Sequence, residues 1–547
     1  MNVQQESEKS GRLFQSSLRG DLLHRFFYAS LTYRHNYPKF PLVGGRDSQL
    51  LLFFPGKENQ LFDFSKISEL QIPKIDLSNI EWPRFDLSRI RWSQIPKLRI
   101  GDSVAKLPIV QGGMGVGISL SGLASAVANE GGIGVIAANS IGMLDPDYYA
   151  RHRDANVIAL RKEIRKAKEK TSGIIGVNIM VAVSDFHALL MVAIEEKVDM
   201  VFLGAGLPIK GIPVEELRSA RVKVLPIVSS ARAAELIFRS WLKKYKDIPD
   251  GVVVEGPKAG GHLGFKEDQI DDPDFALERI LPDVVAEIKT YEDKFRRAIP
   301  VIAAGGVFTG ADIYNLFKLG ASGVQMGTRF VATHECDADI RFKEAYISCK
   351  EGDIEIIKSP VGMPGRAIRN KFLMDISAGK KMGHKCAWRC LKSCEIKTAP
   401  YCISLALDNA RRGDLEKGFA FAGSNAFKVD KIISVKDLLQ ELQKQYLCAE
   451  EKGAGRLRSE YEKALEKLVS LKEEYLIGVS SLKDEYEMGI EKGIATLREE
   501  YLRSMDKISS LKTRYLKAVD NADFLKKELI ELFERYSLFN RLNTEEL

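Results

Sequence analysis

The chain has 547 residues, of which 45% are hydrophobic and 28% are charged. This length and balance predict a folded globular protein of roughly two to four domains, and they exclude a disordered chain, a fibre or a small disulfide-stapled module. The formal net charge of +7, from 81 basic and 74 acidic residues, gives no support to nucleic-acid binding.

The chain shows no signal for secretion or for a membrane span. Residues 1–20 are polar and lack the apolar core of a signal peptide. The longest weakly polar stretch, residues 174–194, is interrupted by Ser184, Asp185 and His187, which are too polar for the middle of a spanning helix. We therefore predict a cytoplasmic protein without a membrane span.

Residues 1–100 contain a loose repeat of the form apolar-Asp-apolar-Ser-x-Ile. The three copies are Phe62–Ile67, Ile75–Ile80 and Phe85–Ile90. Prolines at 73, 83 and 96 break any continuous helix or central strand, so Asp and Ser are expected to cap single turns. The pattern predicts an N-terminal arm without a core of its own.

Short β-branched runs alternate with helical patterns between residues 101 and 335. The predicted strands are Pro108–Gly113, Ile133–Ala138, Ile174–Met180, Met200–Gly206, Lys223–Ser230, Gly251–Gly256, Ile299–Val307 and Gly323–Phe330. The predicted helices are Ser121–Glu130, Ala150–Lys170, Phe186–Lys197, Ala231–Lys244, Phe275–Phe295 and Ala311–Leu319. Eight buried strands joined by helices predict an α/β fold, a TIM-type (β/α)8 barrel, with an open doubly wound sheet as the alternative.

The remainder of the chain is predicted to be helical. Residues 336–447 form a helical extension that carries a group of cysteines. In residues 448–547, the motif Leu-x-x-x-Tyr recurs at spacings close to whole helical turns, from Leu457 to Tyr515. Gly478, Gly489 and Gly493 are unfavourable in the interior of a single long helix. We therefore expect a helical hairpin or a coiled coil that binds another copy or a protein partner.

Glycines gather at the predicted carboxyl ends of the strands, where barrels of this type carry their chemistry. Strands seven and eight end in residues 303–306 and 325–328, which predict a phosphate site, although the glycines could also serve only as tight turns. Strand one ends in residues 111–117, where a flat ligand could approach the backbone. No dinucleotide fingerprint and no P-loop are present.

Two polar side chains are candidates for the chemistry at the same end of the barrel. His262 follows paired glycines after strand six, a position that favours an acid or base over a structural histidine. Asn178 ends strand three and could hydrogen-bond to the edge of a heterocycle, or equally could satisfy a loop.

Four of the seven cysteines lie within one short segment. Cys386, Cys390 and Cys394 are spaced as on one face of a helix, and Cys402 could close the group across a turn. Four thiolates suit an iron–sulfur cluster or tetrahedral zinc, and reduced unliganded thiols are the alternative.

The motifs together resemble the nitronate monooxygenase family, which consists of FMN-dependent barrels and includes flavin enoyl-ACP reductases. The resemblance rests on residues 108–114, 176–178, 255–264, 302–306 and 325–328 and covers about residues 100–445. It implies an FMN oxidoreductase in which His262 removes a proton α to an electron-withdrawing group, with flavin accepting hydride or an electron. The implied FMN contacts are Gly112, Gly113, Met114, Asn178, Glu255, Gly260, Gly306, Gln325, Met326, Gly327 and Thr328. Glu255 replaces the glutamine that is common in the nitronate branch.

A more detailed resemblance is to the branch of acyl-ACP dehydrogenase/isomerases, which carries FMN and a [4Fe-4S] cluster. It rests on residues 204–208, 226–230, 358–362 and 430–435 and on the cysteine run. It implies that Cys386, Cys390, Cys394 and Cys402 bind the cluster. The carbon acid is then either a nitronate oxidised with O2 or an acyl-ACP thioester, and an acyl-ACP dehydrogenase/isomerase or enoyl-ACP reductase of fatty-acid synthesis is the alternative. An alternative of another class is an assembly or docking protein built on a flavin-binding scaffold.

Overall fold

The computed structural model describes residues 49–51, 61–63, 95–145, 148–383, 386, 389–392, 394–489, 503, 506–507 and 509–528. The chain divides into two compact units, Met1–Asp86 and Leu87–Leu547. In the first unit, strands Gln49–Leu51 and Leu61–Asp63 pair antiparallel. Phe62 and Asp63 of the first predicted repeat therefore lie in a strand and not in a capped turn, while the other repeats fall outside the described residues. The boundaries predicted at 335 and 447 stay predictions.

The second unit contains a closed barrel of eight parallel strands. The strands are β1 (Ile109–Gln111), β2 (Ile133–Ala137), β3 (Ile174–Met180), β4 (Met200–Gly204), β5 (Lys223–Val228), β6 (Val252–Glu255), β7 (Val301–Ala304) and β8 (Gly323–Met326). Each strand pairs with the next in the chain, and β8 pairs with β1 to close the barrel. The predicted (β/α)8 barrel is confirmed, and the open doubly wound sheet is excluded.

The strands carry apolar side chains on both faces, because helices cover the outer face and the barrel interior covers the inner face. In β6, Val252 and Val254 belong to the apolar layer between strands and helices, whereas Val253 packs inside the barrel with Phe202 and Ile302. A small antiparallel hairpin, Leu98–Ile100 with Ser103–Ala105, adds apolar side chains to this inner cluster. It covers the amino-terminal end of the barrel, so the open end is the one where the strands finish.

The helices around the barrel follow the predicted pattern closely. They are Ser121–Asn129, Tyr148–Lys170, Phe186–Glu195, Val214–Ser219, Ala231–Tyr245, Leu277–Phe295, Gly310–Lys318 and Thr328–Val331. The short helix Val214–Ser219 was not predicted. The prediction of a strand through Phe330 was wrong at its end, because the chain turns into a helix at Thr328.

The extension after the barrel contains both helices and strands. Its helices are Ile340–Ile347, Lys371–Ser377 and Ile403–Arg411. Strands Ile354–Lys358 and Pro364–Ile368 pair with the two-residue strand Gly261–His262 in an antiparallel sheet. The expectation of a purely helical extension was therefore incomplete, and the strands that it missed lie against the loop that carries His262.

The C-terminal region is helical in its described part. One helix extends from Val435 to Gly489, and residues 509–528 form a second helical segment. The long helix packs on the barrel helix Gly310–Lys318, where the Gly310 N–H donates to Gln445 Oε1 over 2.9 Å. None of the described helices is both long enough and apolar enough to cross a membrane.

Candidate active site

A cavity of about 480 Å³ opens at the carboxyl ends of the barrel strands. All the residues that the sequence assigned to flavin binding line it, together with the proposed base: Gly112, Gly113, Met114, Asn178, Glu255, Gly260, His262, Gly306, Gln325, Met326, Gly327 and Thr328. They come from β1, β3, β6, β7 and β8 and from the loops that follow these strands. The fold thus brings the candidate residues into one space.

Two close approaches explain why glycine is needed in this wall. A Cβ atom on Gly113 would lie 2.4 Å from the Cβ of Asn178, so the end of β1 packs directly on the Asn178 side chain. Gly305 has a φ of +95°, and a Cβ there would lie 2.7 Å from the Gly256 carbonyl oxygen. Side chains at these positions would displace neighbouring atoms of the cavity wall.

A loop of the extension, residues 423–425, closes the side of the cavity next to β7 and β8. Thr328 Oγ1 accepts a hydrogen bond from the Gly423 N–H over 3.0 Å, and Asn425 Nδ2 donates to the Gly306 carbonyl over 2.6 Å. The Ser424 hydroxyl is buried there without a hydrogen-bond partner among the described residues. A buried orphan hydroxyl beside glycine-rich strand ends suits the oxygen atoms of a phosphate.

Sequence reasoning missed this loop as part of the site. The available signal was Gly-Ser-Asn inside the apolar run of residues 418–427, a polar interruption where a core helix would have none. Lys258 and Asn139, which also line the cavity, were missed as well.

His262 is held by the extension and not by the barrel alone. It pairs in the small antiparallel sheet opposite Gly365, and its Nε2 lies 2.7 Å from the Ser359 hydroxyl. The Phe421 ring lies edge-on with its centroid 5.0 Å from that of the imidazole. Burial lowers the pKa of His262 to about 4, so the ring is neutral near physiological pH and can accept a proton.

The buried Arg366 holds the loop that leads to His262. Its guanidinium donates to the carbonyl of Pro257 and, over 2.9 Å, to that of Ala259. Because Arg366 lies in the strand that pairs with Gly261, the same strand fixes the loop through both its backbone and its side chain.

Glu255 is the second titratable group that faces the cavity. It is the last residue of β6, and desolvation alone raises its pKa to about 7. A carboxyl group with this pKa is partly protonated at neutral pH, so it can donate as well as accept a hydrogen bond. It can therefore offer a heterocycle the same two functions as the glutamine it replaces.

Replacing Ser359 by alanine removes the hydrogen bond that orients the imidazole. We expect kcat to fall by about tenfold, with little change in flavin content, because the base stays in place but samples other ring orientations. Steady-state kinetics and the flavin absorbance of the purified variant measure the two effects. Ser348→Ala is the control, since the Ser348 hydroxyl bonds only to its own helix; equal kcat values in the two variants would contradict the role of Ser359.

The cysteine segment borders the cavity through the neighbours of Cys390 and Cys402. Leu391, Ile403 and Ser404, which are sequence neighbours of Cys390 and Cys402, line it. Cys390 Sγ lies 3.4 Å from Ser404 Oγ, and burial, with the other three thiols contributing, raises the pKa of Cys390 to about 11. The thiols are thus close enough to influence one another electrostatically.

Their arrangement differs from the predicted one. The described residues between Cys386 and Cys394 are not helical, so the expectation of three thiols along one helix face was wrong. Within the described part of the chain, no three His, Cys, Asp or Glu side chains are placed to hold a metal ion. As placed, the thiols supply the donors of a cluster site but not its geometry.

Comparisons with known proteins show which family and fold the chain resembles. The family model for nitronate monooxygenase matches residues 98–445. A probable nitronate monooxygenase of Staphylococcus aureus (strain JH9) is 27% identical over 292 residues, which cover 49% of this chain and 77% of the relative. The structure of FabK from Thermotoga maritima is 31% identical with a TM-score of 0.50, and the match covers 64% of this chain and 96% of FabK. A nitroalkane oxidase from Streptomyces ansochromogenes has the same fold, with 22% identity, a TM-score of 0.50, and coverage of 64% and 98%.

Proposed function

The chain belongs to the nitronate monooxygenase family and is therefore an FMN-dependent oxidoreductase; we propose that it binds FMN in the strand-end cavity and uses His262 as the base that removes a proton from a carbon acid. The proposal rests on the observation that the glycine-lined wall and the neutral, buried imidazole of His262 belong to the same cavity. A base must be unprotonated before it reacts, and the low pKa of His262 meets that need.

The residues that line the cavity fit FMN. Gly306, Gly327 and Thr328 would hold the phosphate, and the orphan hydroxyl of Ser424 lies between Gly423 and Asn425, which line the same wall. The wall formed by residues 112–114 and Asn178 lets a flat ring approach the backbone, and Glu255 would hydrogen-bond to its edge. When bound, FMN supplies the two-electron or one-electron acceptor that no side chain provides.

The chain itself positions the substrate and moves the proton. His262 takes the proton α to the electron-withdrawing group, and its hydrogen bond to Ser359 keeps the imidazole in one orientation during the transfer. Phe421, Gly423 and Asn425 line the cavity together with His262. The His262 ring stays uncharged down to mildly acidic pH because burial lowers its pKa. Proton removal therefore does not require alkaline conditions.

Two substrate classes suit this chemistry. The first is a nitroalkane, from which the base removes the α proton to give the nitronate that is oxidised with FMN and O2, and the curated relative is named for nitronate oxidation. An acyl-ACP thioester is the second candidate, favoured by the resemblance of the cysteine run to the acyl-ACP branch and by the position of Cys390 and Cys402 next to residues that line the cavity. Reduction of an enoyl-ACP is the reverse chemistry at the same site.

Anaerobic purification followed by substrate assays tests the proposal. We expect flavin absorbance in the purified protein and turnover with either a neutral nitroalkane, followed as O2 consumption, or an acyl- or enoyl-ACP, followed by the change in flavin absorbance. Turnover with only one of these two kinds of compound would identify the substrate class of the protein. A purified protein that takes up no flavin, even when refolded with FMN, contradicts the proposal.

We further propose that Cys386, Cys390, Cys394 and Cys402 bind a [4Fe-4S] cluster once iron and sulfide are supplied. The support is the resemblance of the cysteine run to the acyl-ACP branch, the mutual influence of the thiols and the position of Cys390 and Cys402 next to residues that line the cavity. Since the thiols as placed do not form the site, the segment would have to close around the metal.

Replacing Cys390 by serine tests this cluster. We expect the variant to lose its iron and sulfide while it keeps flavin absorbance, because one of four ligands is removed from a site separate from the flavin wall. Cys448→Ser is the control, since Cys448 is exposed and lies on the long helix. A wild-type protein reconstituted with iron and sulfide that holds neither, or a Cys390 variant that holds both, would overturn the cluster proposal.

A further inference from the structure

The C-terminal helices form a pair of arms that we call the C-terminal hairpin, residues 456–489 and 509–528. The arms are antiparallel, because Glu474 lies 3.8 Å from Arg514, while Tyr461 lies close enough to Asp523 for the Asp523 charge to add to burial in raising the pKa of Tyr461. The residues buried in each arm recur at spacings of three, four or seven positions. They are Tyr461, Ala464, Leu468 and Leu471 in the first arm and Leu511, Tyr515, Ala522 and Leu525 in the second. This spacing is that of two helices packed along one seam.

The hairpin also carries apolar side chains that the seam does not bury. Among the described residues, ten large hydrophobic side chains are strongly exposed, and five of them belong to the hairpin: Val469, Leu476, Ile477, Leu516 and Phe524. Their exposed fractions range from 45% to 69%. Apolar exposure concentrated in a short part of a chain marks an interaction surface.

Three of these side chains lie on one flank of the hairpin. Val469 and Leu476 are seven residues apart and therefore share a helix face. Val469 directly follows the seam residue Leu468, and Leu516 directly follows the seam residue Tyr515. In two antiparallel helices, the residue that follows a seam residue is rotated towards the same side of the pair in both helices, so Val469 and Leu516 lie on one side. The antiparallel register set by Glu474 and Arg514 places Val469 and Leu516 at nearly the same level. The flank thus presents one apolar patch that includes both arms.

The charges of the two arms are opposite. Between residues 460 and 477 the first arm has five acidic and three basic residues, whereas the second arm, residues 509–528, has five basic and three acidic ones. Two hairpins with one arm of each net sign are complementary when a twofold axis places the first arm of one molecule against the second arm of another.

We propose that this flank binds the same flank of a second copy of the chain, so that the two hairpins form a four-helix bundle. Val469 and Leu516 pack at its centre, and the acidic first arm of each copy lies against the basic second arm of the other. The catalytic barrels are thereby joined through their C-terminal helices.

Sedimentation of the purified full-length protein tests the proposal. We expect a dimer at about 10 µM and an increase of at least tenfold in the dissociation constant for Val469→Glu and for Leu516→Glu, because each places a carboxylate in the apolar contact. Ile158→Glu is the matched control, since Ile158 is equally exposed on a barrel helix outside the hairpin. Circular dichroism and flavin content verify that the variants fold. A protein that is monomeric over this range, or a dimer that neither hairpin substitution weakens, overturns the proposal.

Charge reversal tests the orientation of the arms. One variant carries Glu466→Lys with Glu473→Lys, which makes both of its arms basic, and a second carries Lys512→Glu with Lys527→Glu, which makes both arms acidic. Each variant alone is expected to be monomeric under the conditions in which the wild type is a dimer, and the mixture is expected to form a heterodimer. A mixture that stays monomeric, or single variants that dimerise as well as the wild type, contradicts the proposed contact.

Discussion

Replacing His262 by alanine is expected to lower kcat by about 10²- to 10⁴-fold, the range typical for loss of a positioned base. Flavin content should stay near that of the wild type, because His262 is one of many residues in the cavity wall and the glycine-rich wall is untouched. Stopped-flow mixing with substrate without O2 separates the two effects, since it measures the rate of flavin reduction directly. A variant that reduces flavin at the wild-type rate would refute the role of His262 as base.

His187→Ala is the matched control for this experiment. His187 lies exposed on the helix Phe186–Glu195, outside the cavity. Its removal should leave the rate of flavin reduction unchanged. A comparable loss in both variants would indicate a general effect on the fold and not the loss of a base.

The pH dependence of the wild type follows from the same group. Because burial lowers the pKa of His262 to about 4, the neutral form persists well below the range in which an exposed histidine becomes protonated. Turnover limited by this base is therefore expected to fall only at strongly acidic pH. An inflection near the ordinary histidine pKa that disappears in His262→Ala would contradict this assignment of the buried ring.

The barrel and its cavity could be predicted because their signals are local. Strands covered on both faces are continuous apolar runs, and β3 was predicted with its observed bounds, Ile174–Met180. The strand-end residues gather in one cavity because parallel strands of a closed barrel end on one side. Gly306 and Thr328 could thus be assigned to the same site although they belong to different strands.

The support for His262 could not be predicted in this way. Ser359, Arg366 and Phe421 are between 97 and 159 residues away in the chain, and no local pattern indicates that they contact the imidazole or the loop that carries it. They reach it because the strand Pro364–Ile368 pairs with Gly261–His262, a long-range contact made by only two residues of the loop. Such pairings depend on tertiary structure and not on propensity.

The cysteine segment shows how a correct spacing can mislead. Cys386, Cys390 and Cys394 have helical spacing, but the backbone between them bonds to the loop after β3 instead of to itself. The Ser184 N–H donates to the Cys390 carbonyl over 3.0 Å, and the Lys392 N–H donates to the Ala182 carbonyl over the same distance. Backbone groups used in this bridge cannot also form an intrahelical ladder, so the helix does not form.

Replacing Glu255 by glutamine is expected to stabilise the FMN-free protein at alkaline pH and to leave it unchanged at acidic pH. Burial raises the pKa of the Glu255 carboxyl from 4.5 to about 7, so the folded state binds this proton more tightly than the unfolded state does. The contribution of the Glu255 carboxyl to the free energy of unfolding is fully present below the pKa of this group in the unfolded state. It is lost as the pH rises to the pKa of the group in the folded state. Glutamine cannot ionise, so the variant avoids this loss.

The size of the effect follows from the shift. At about 1.4 kcal/mol per pKa unit, the variant should exceed the wild type by about 3 kcal/mol in free energy of unfolding above neutral pH, with no difference at about pH 4. Urea unfolding of the flavin-free proteins at a series of pH values measures it. Glu267→Gln, which removes an exposed carboxylate, is the control and should follow the wild type. A Glu255 variant with the pH dependence of the wild type would mean that the carboxylate is ionised in the folded cavity, and the same residue could then only accept a hydrogen bond from the flavin edge and not donate one.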